Sequence, residues 1–349
     1  KPVCELKKVQ PSVTTKVLRM ENCSHMFNPT LNRHQEQIDV FTEAMLRLFP
    51  IHSDAIRDYK FSWPSRGRSL HNQRIDLVRQ ISPAPGQLEV ENGVFRYLNV
   101  SDFVTQVLEV FVDRDYDLVL DADGERPRVI DAGANIGLAS IFFSAELPSP
   151  RIVALEPAPE VFDVLKHNLS VFGIDATLVP EGLGGTSRKE TFLVNNRKSA
   201  ASTFLKDRTI GANEDYSETT VQIRDLDSVI QSESVDFLKM DVEGSEEEIL
   251  LDASPDKLRK ILRITMEYHF VSSVSRSRLG LVMAKLNQCG FEFSFRKVAP
   301  YRGGASIHSE PVRSPSILVE CWRRLDCPSR PLGPHADRAP KTSPDEISG

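Results

Sequence analysis

Short apolar runs alternate with stretches of helical spacing through the middle of this chain, and that order predicts strands alternating with helices. Val129-Ile130, Ile152–Leu155, Ala176–Val179, Val235–Met240 and Ile261–Met266 suit buried parallel strands, whose two faces both need cover. Between them, Pro159–Val171 sets Val161, Leu165, Leu169 and, just beyond, Phe172 at helical spacing, and Gly173 ends the helix. Leu138–Phe143 begins another helix, and Glu246–Glu248 suit the first turn of a third. Ser277–Gln288 reads as an amphipathic helix closed by Gly290. Thr191–Val194 and Thr220–Ile223 alternate as short strands around a small-residue loop, Ser199–Thr203. Phe291–Val298 and Ser316–Trp322 are joined by a Gly/Ser/Pro-rich connection without helical pattern, which predicts an antiparallel hairpin.

Upstream the pattern changes. Pro83, Pro85 and Gly86 make a break, followed by a strand pair within Val90–Leu98 and a helix over Ser101–Phe111 with Ser101 as N-cap. Residues 1–90 lack strand alternation, while Ile38, Phe41, Met45, Leu48 and Phe49 fall near helical spacing. The expectation is a helical N-terminal appendage over 1–90, used for packing or homodimerisation ahead of service as an acceptor lid. A Rossmann-like domain follows over 91–324, and a disordered tail rich in Pro, Ser and charge over 325–349.

Composition narrows the partners. A net charge of −6 over 349 residues argues against nucleic acid, and Arg66-Gly67-Arg68 and Arg323-Arg324 lack interleaved aromatics. No run approaches the roughly 20 apolar residues of a membrane span. The five cysteines are scattered without a C-x-x-C pair, which predicts a reducing, cytoplasmic setting and no structural zinc. The chain opens on Lys1 rather than Met, which leaves room for an upstream segment.

The chemistry starts at the first parallel strand, where Arg128-Val-Ile-Asp131-Ala-Gly133-Ala-Asn135-Ile-Gly137 runs into a helix. An acidic strand end, a glycine turn and helical amides form a nucleotide-cofactor loop. Roughly twenty residues on, the next strand ends at Glu156, where such folds set a carboxylate against ribose hydroxyls. A dinucleotide loop reads G-x-G-x-x-G, its second glycine admitting a pyrophosphate. Here Asn135 takes that second position and Leu138 the third, which favours a cofactor without a pyrophosphate: S-adenosylmethionine over NAD. Asp131, Gly133, Asn135, Gly137 and Glu156 are thus the expected cofactor residues. The terminal hairpin points the same way, because dehydrogenase sheets usually continue with parallel strands.

Acceptor chemistry belongs at the carboxyl ends of the later strands. Asp241 and Glu243 follow the fourth strand and can orient an acceptor or take its proton; as helix caps they would do neither. His269 follows the fifth and is the expected general base, since imidazole titrates near neutrality. No spaced His/Asp/Glu cluster is visible, so no metal is expected.

With these pieces in place, the chain resembles the FkbM family of methyltransferases. The resemblance lies in VIDAGANIG (129–137), ALEPAPEVFDVLKHNL (154–169), SAAST (199–203), DLDSV (225–229) and VDFLKMDVEGSEEEIL (235–250), in order, with K-x-D-V-E-G the most family-specific element. It implies a class I methyltransferase sheet, S-adenosylmethionine as donor and a hydroxylated small molecule, natural product, lipid or sugar as acceptor. Glu156-Pro157 follows the family pattern, whereas Glu181 stands where the family more often has a small residue. The alternatives are a cofactor-binding scaffold without activity and an N-methyltransferase. The latter's N/D-P-P-Y/F motif is replaced here by Asp241-Val-Glu243-Gly244.

Overall fold

The computed structural model describes residues 84–90, 93–117, 126–195, 216–270, 273–298 and 316–323, together with Ile75, Asp76, Val78, Arg79 and Ser82. The segments Gln37–Phe49, 199–203 and 325–349 lie outside the described residues.

The chain enters through a hairpin, β1 (Gln87–Val90) and β2 (Gly93–Arg96), then helix α1 (Val100–Val107), which runs on into a π-helical turn over Leu108–Val112. The N-cap of α1 is Asn99, not Ser101. Its side-chain oxygen accepts from the amides of Ser101 and Asp102 at 2.7 and 3.1 Å, so the helix starts one residue before the expected cap.

Strand β3 (Arg128–Ala132) follows, then α2 (Leu138–Glu146), β4 (Arg151–Leu155), α3 (Pro159–Val171) and β5 (Ala176–Val179). Pro180 cannot donate to a ladder and marks a departure. Strand β6 (Glu181–Gly184) leaves the main sheet and pairs in parallel with β8 (Tyr216–Asp225), which also pairs antiparallel with β7 (Arg188–Asn195). Two strands of this side sheet, β7 and β8, match the strands expected over Thr191–Val194 and Thr220–Ile223, whereas the sequence pattern treats Glu181–Gly184 as the end of a strand. The Glu181 carboxylate is engaged there by the Arg224 guanidinium at 2.6 and 3.0 Å.

The remaining elements are α4 (Leu226–Ile230), β9 (Val235–Met240), α5 (Glu246–Asp252), α6 (Pro255–Leu258), β10 (Ile261–His269), α7 (Ser273–Gln288), β11 (Phe291–Val298) and β12 (Ser316–Arg323). The main sheet runs β5-β4-β3-β9-β10-β12-β11. Its first five strands are parallel, and β12 is antiparallel to both neighbours. The terminal hairpin is therefore present, with its second strand inserted between β10 and β11. This is the Rossmann-like class I methyltransferase sheet.

Side chains of the central strands alternate between two cores. Val129, Ile152 and Phe237 join α1, α2 and α3 on one face, with Val78 from upstream fully buried in the same cluster. Ile130, Leu155, Leu238, Met240, Ile264 and Met266 join α4, α5 and α7 on the other. Burial of β3 on both faces is what its continuous apolar run predicts.

The register sets the site. Ala132 lies opposite both Leu155 and Met240, and Met240 opposite Met266. The next residues of β4 and β9 are Glu156 and Asp241, and Glu267 is the matching position on β10, so three carboxylates emerge level with Gly133 at one edge of the sheet.

Candidate active site

The loop after β3 is closed by its own hydrogen bonds. The amides of Gly133 and Ala134 both donate to the Leu155 carbonyl, at 3.0 and 2.9 Å, and that of Gly137 donates to the Ala134 carbonyl. The Asn135 amide donates to Glu156 Oε2 at 3.0 Å, while Glu156 Oε1 accepts from the Ala158 amide at 2.9 Å. Gly133 has φ +74°, and a Cβ there would collide with the Asp241 carbonyl. Asn135 holds φ +48°, a left-handed conformation that asparagine tolerates better than most residues.

Asp131 is completely buried beneath the loop rather than on its surface. Its Oδ2 accepts from the Ser140 hydroxyl at 2.7 Å, and its Oδ1 lies 3.2 Å from Lys239 Nζ. Asp131 and Lys239 are cross-strand neighbours in the β3–β9 ladder, which explains the pairing. Lys239 Nζ also donates to the Gly133 carbonyl at 2.6 Å and sits over the Tyr116 ring. Burial works against its charge, but Asp131, Asp241 and Glu156 outweigh that and hold its pKa above the ordinary lysine value. Its parallel register with Asp131 is the signal that finds the pair.

Glu156 is 7% exposed, and burial pushes its carboxyl up to about 7 against the pull of the Ala158 and Asn135 amides and of Lys239. Asn135 Oδ1 is buried and accepts no hydrogen bond. The loop thus presents acceptors, while the amides of Gly133, Ala134, Asn135 and Gly137 are consumed within the protein. That fits a ligand bringing an ammonium group and hydroxyls, as S-adenosylmethionine does, better than one bringing a pyrophosphate.

The second half of the site lies at the ends of β9 and β10. The Asp241 carboxyl is pushed up to about 7, mainly by burial and by the neighbouring Glu267, with Lys239 opposing. Its Oδ2 takes the Tyr116 hydroxyl at a long 3.4 Å, and its Oδ1 is buried without a hydrogen-bonding partner. Glu243 holds φ +58°, unusual for a non-glycine residue and of the kind that clusters at functional sites.

His269 is 5% exposed and is not open to an acceptor on all sides. Its Nδ1 lies 2.9 Å from Oε1 of the buried Glu246, and its Nε2 faces Glu243 Oε2 at 3.5 Å and Glu267 Oε1 at 3.7 Å. Ser316 on β12 donates its hydroxyl to Glu267 Oε1 at 2.6 Å. Glu246 sits in the first turn of α5 as expected and is also the partner that orients this imidazole. Asp241, Glu267 and His269 each place one ligand atom within 4.8 Å of the others. Strand register gathers these residues although they lie 26 and 28 positions apart in the sequence.

A cavity of about 410 Å³ opens at the opposite edge and is lined in part by Arg126, Arg128, Arg151 and Arg224. All four guanidinium groups are already engaged: Arg126 by the Ser149 carbonyl, Arg128 by the Val229 and Ile230 carbonyls, Arg151 by Glu233 and Arg224 by Glu181. Among the described residues no helix is long and apolar enough to cross a membrane.

Residues 131–293 match the model of the methyltransferase FkbM domain. The chain is 28% identical over 267 residues to the AMB antimetabolite synthetase AmbE of Pseudomonas aeruginosa, a match covering 66% of this chain and only 12% of that protein. It is 27% identical to methyltransferase sdnD of Sordaria araneosa, covering 51% of this chain and 80% of that one. To the 31-O-demethyl-FK506 methyltransferase FkbM of Streptomyces tacrolimicus it is 28% identical, covering 65% and 96%. Among solved structures, a precorrin-6y C5,15-methyltransferase from Geobacter metallireducens aligns at 17% identity with a TM-score of 0.31, covering 57% of this chain and 82% of that one. The glycine loop and the K-x-D-V-E-G strand end thus lie in a stretch, residues 131–293, that is similar to the methyltransferase FkbM domain, and the methyl donor of such a methyltransferase is S-adenosylmethionine.

Proposed function

We propose that this chain methylates a hydroxyl of a small molecule, natural product, lipid or sugar, with the donor against Gly133–Gly137 and Glu156 and the acceptor over the ends of β9 and β10. The observation that carries this reading is the pair of buried oxygens without partners, Asn135 Oδ1 and Asp241 Oδ1, one on each side of the sheet edge. When bound, S-adenosylmethionine supplies a methyl carbon on a cationic sulfur, which an oxygen displaces in line.

The residues divide the work. Glu156 and Asn135 offer acceptors to the donor's hydroxyl and ammonium groups. Asp131 and Lys239 are positioning residues that hold the loop from below. An aliphatic hydroxyl is a weak nucleophile and needs its proton taken as the new bond forms. Asp241, at the strand end with a free buried oxygen, is the better placed acceptor for that proton. His269 has Nδ1 committed to Glu246 and is assigned to orienting Asp241 and Glu243 rather than to proton removal. Oxygen as the methylated atom draws support from the relative named as a 31-O-demethyl-FK506 methyltransferase.

Calorimetric titration with S-adenosylmethionine, S-adenosylhomocysteine and NAD tests the donor. Micromolar binding of the first two but not of NAD is expected, and binding of NAD alone would overturn the reading. Methyl-labelled donor with a panel of hydroxylated acceptors then tests the product, which should be an ether stable to base. Asp241→Asn should lower turnover about 10²-fold or more while leaving S-adenosylhomocysteine affinity within a few-fold.

A further inference from the structure

We propose that Asn168, buried on α3, is a positioning residue for the methyl donor: it acts through the Ile136 carbonyl to set the loop Gly133–Gly137, and the hairpin β1–β2 holds it in that role. The inference rests on the reading that places the methyl donor against that loop.

The loop leaves one backbone group in need of a partner. Gly137 is the N-cap of α2, and its carbonyl accepts the first helical bond, from the Ile141 amide at 2.9 Å. The Ile136 carbonyl therefore lies ahead of the helical ladder and needs a hydrogen from elsewhere. Asn168 Nδ2 supplies it at 2.8 Å. The same helix presses on the next residue, where a Cβ at Gly137 would come within 3.0 Å of Leu165 and 3.2 Å of Leu169. Ile136 and Gly137 are thus seated on α3, and Asn168 gives that seat its direction.

The remaining capacity of the Asn168 amide is taken by the hairpin. Its Oδ1 accepts from the Arg96 amide at 2.8 Å, and Nδ2 also donates to the Arg96 carbonyl at 2.9 Å. Arg96 turns both backbone groups outward from β2, and the side-chain amide closes them as the peptide of a further strand would. The three bonds agree on one orientation, because an inverted amide would set its oxygen against two carbonyls. One residue earlier, His167 Nε2 lies 2.7 Å from the Val94 carbonyl. Asn168 is completely buried, so no water replaces a lost bond without rearrangement. A side chain fixed at both ends carries the position of the hairpin into the loop. Residues 87–96 precede the stretch matched at 131–293, so a segment outside that stretch takes part in binding the methyl donor. Without Asn168 the Ile136–Gly137 peptide can turn, and Asn135 and Glu156 lose the shared geometry in which they meet the ligand.

The test begins with hydrogen exchange on the wild-type full chain. Saturating S-adenosylhomocysteine should slow the Arg96 amide at least about tenfold more than the Gly185 amide, which Glu248 holds beside the side sheet. Equal slowing of the two would overturn the coupling, whatever the variants do. Asn168→Asp keeps an acceptor for the Arg96 amide but loses both N–H groups; it and Asn168→Ala should each weaken S-adenosylhomocysteine binding at least about tenfold in calorimetry, at temperatures where urea titration shows them folded. His167→Ala loses a hairpin contact alone and should stay within about twofold of wild type. A role confined to stability would lower the urea midpoint of the Asn168 variants and leave their affinity unchanged. That result, or an equal loss of affinity in His167→Ala, would overturn the role of Asn168 and leave the methyl-donor reading in place. A wild type that binds no S-adenosylhomocysteine would overturn both.

Discussion

The two halves of the sheet edge are built on opposite terms. Around β3 and β4, Asp131 has Ser140 and Lys239, Glu156 has two amides, and the glycine loop is tied to Leu155. Around β9 and β10, four carboxylates crowd one imidazole, and a buried Asp241 oxygen has nothing to accept. The first half is organised before any ligand arrives. The second carries an electrostatic debt that a ligand would settle, so the two should answer mutation in opposite ways: the donor side through folding, the acceptor side through chemistry.

The strongest challenge to that contrast is Lys239→Met. Removing one member of a buried ion pair leaves Asp131 uncompensated, and a loss of about 3–5 kcal/mol in urea unfolding is expected. A loss below about 1 kcal/mol would mean that the loop is not held from beneath. Gly133→Ala comes next. Its Cβ meets the Asp241 carbonyl at a positive φ, so a cost of about 3 kcal/mol is expected together with weakened S-adenosylhomocysteine binding. Wild-type stability there would separate the two halves of the site physically.

Glu156 gives a pH signature of similar size. Its folded carboxyl titrates at about 7 against an ordinary value of 4.5, so between these values the folded state binds more protons than the unfolded one. Stability from this group is therefore full below pH 4.5, is lost as pH rises toward 7 and is level above it. The total is about 3 kcal/mol at roughly 1.4 kcal/mol per unit. Subtracting the stability of Glu156→Gln at each pH isolates the slope; a flat difference would show that the carboxyl is not held neutral by burial. The smallest effect belongs to Asn135→Gly, expected to weaken S-adenosylhomocysteine binding about tenfold, one lost hydrogen bond to a charged group, with little change in unfolding because glycine keeps the left-handed φ. A larger fall in stability than in affinity would move Asn135 from the ligand to the scaffold.

How much of this was legible in the sequence depends on how local the cause is. Helix α3 begins at Pro159 and ends before Gly173 as its spacing indicates, because a proline at the first turn and a glycine in the left-handed region act within a few residues. Strand β9 is equally plain from its apolar run. Asn99 rather than Ser101 caps α1, a choice between two competent caps that turns on the entry angle of the hairpin before it. In the side sheet β7 and β8 were legible as alternating strands, but β6 was not, because it pairs with β8 across about 40 residues. The same holds at the site. Asp131, Glu156 and Asp241 can be named from strand ends, but the carboxylates around His269 meet only through the β9–β10 register and the fold of α5 back onto β10. Local spacing carries no trace of either.

The insertion of β12 between β10 and β11 has a consequence in time. During synthesis β11 is made before the strand that joins it to the sheet, so its exposed Phe293 and Phe295 have no ladder to enter until residues 316–323 emerge. Ser316, which steadies Glu267, arrives in that same strand. A nascent chain could thus fold its donor-binding half early, while its acceptor half stays unfinished until the final strand slides into place, so that completion of the sheet and maturation of the site become a single event.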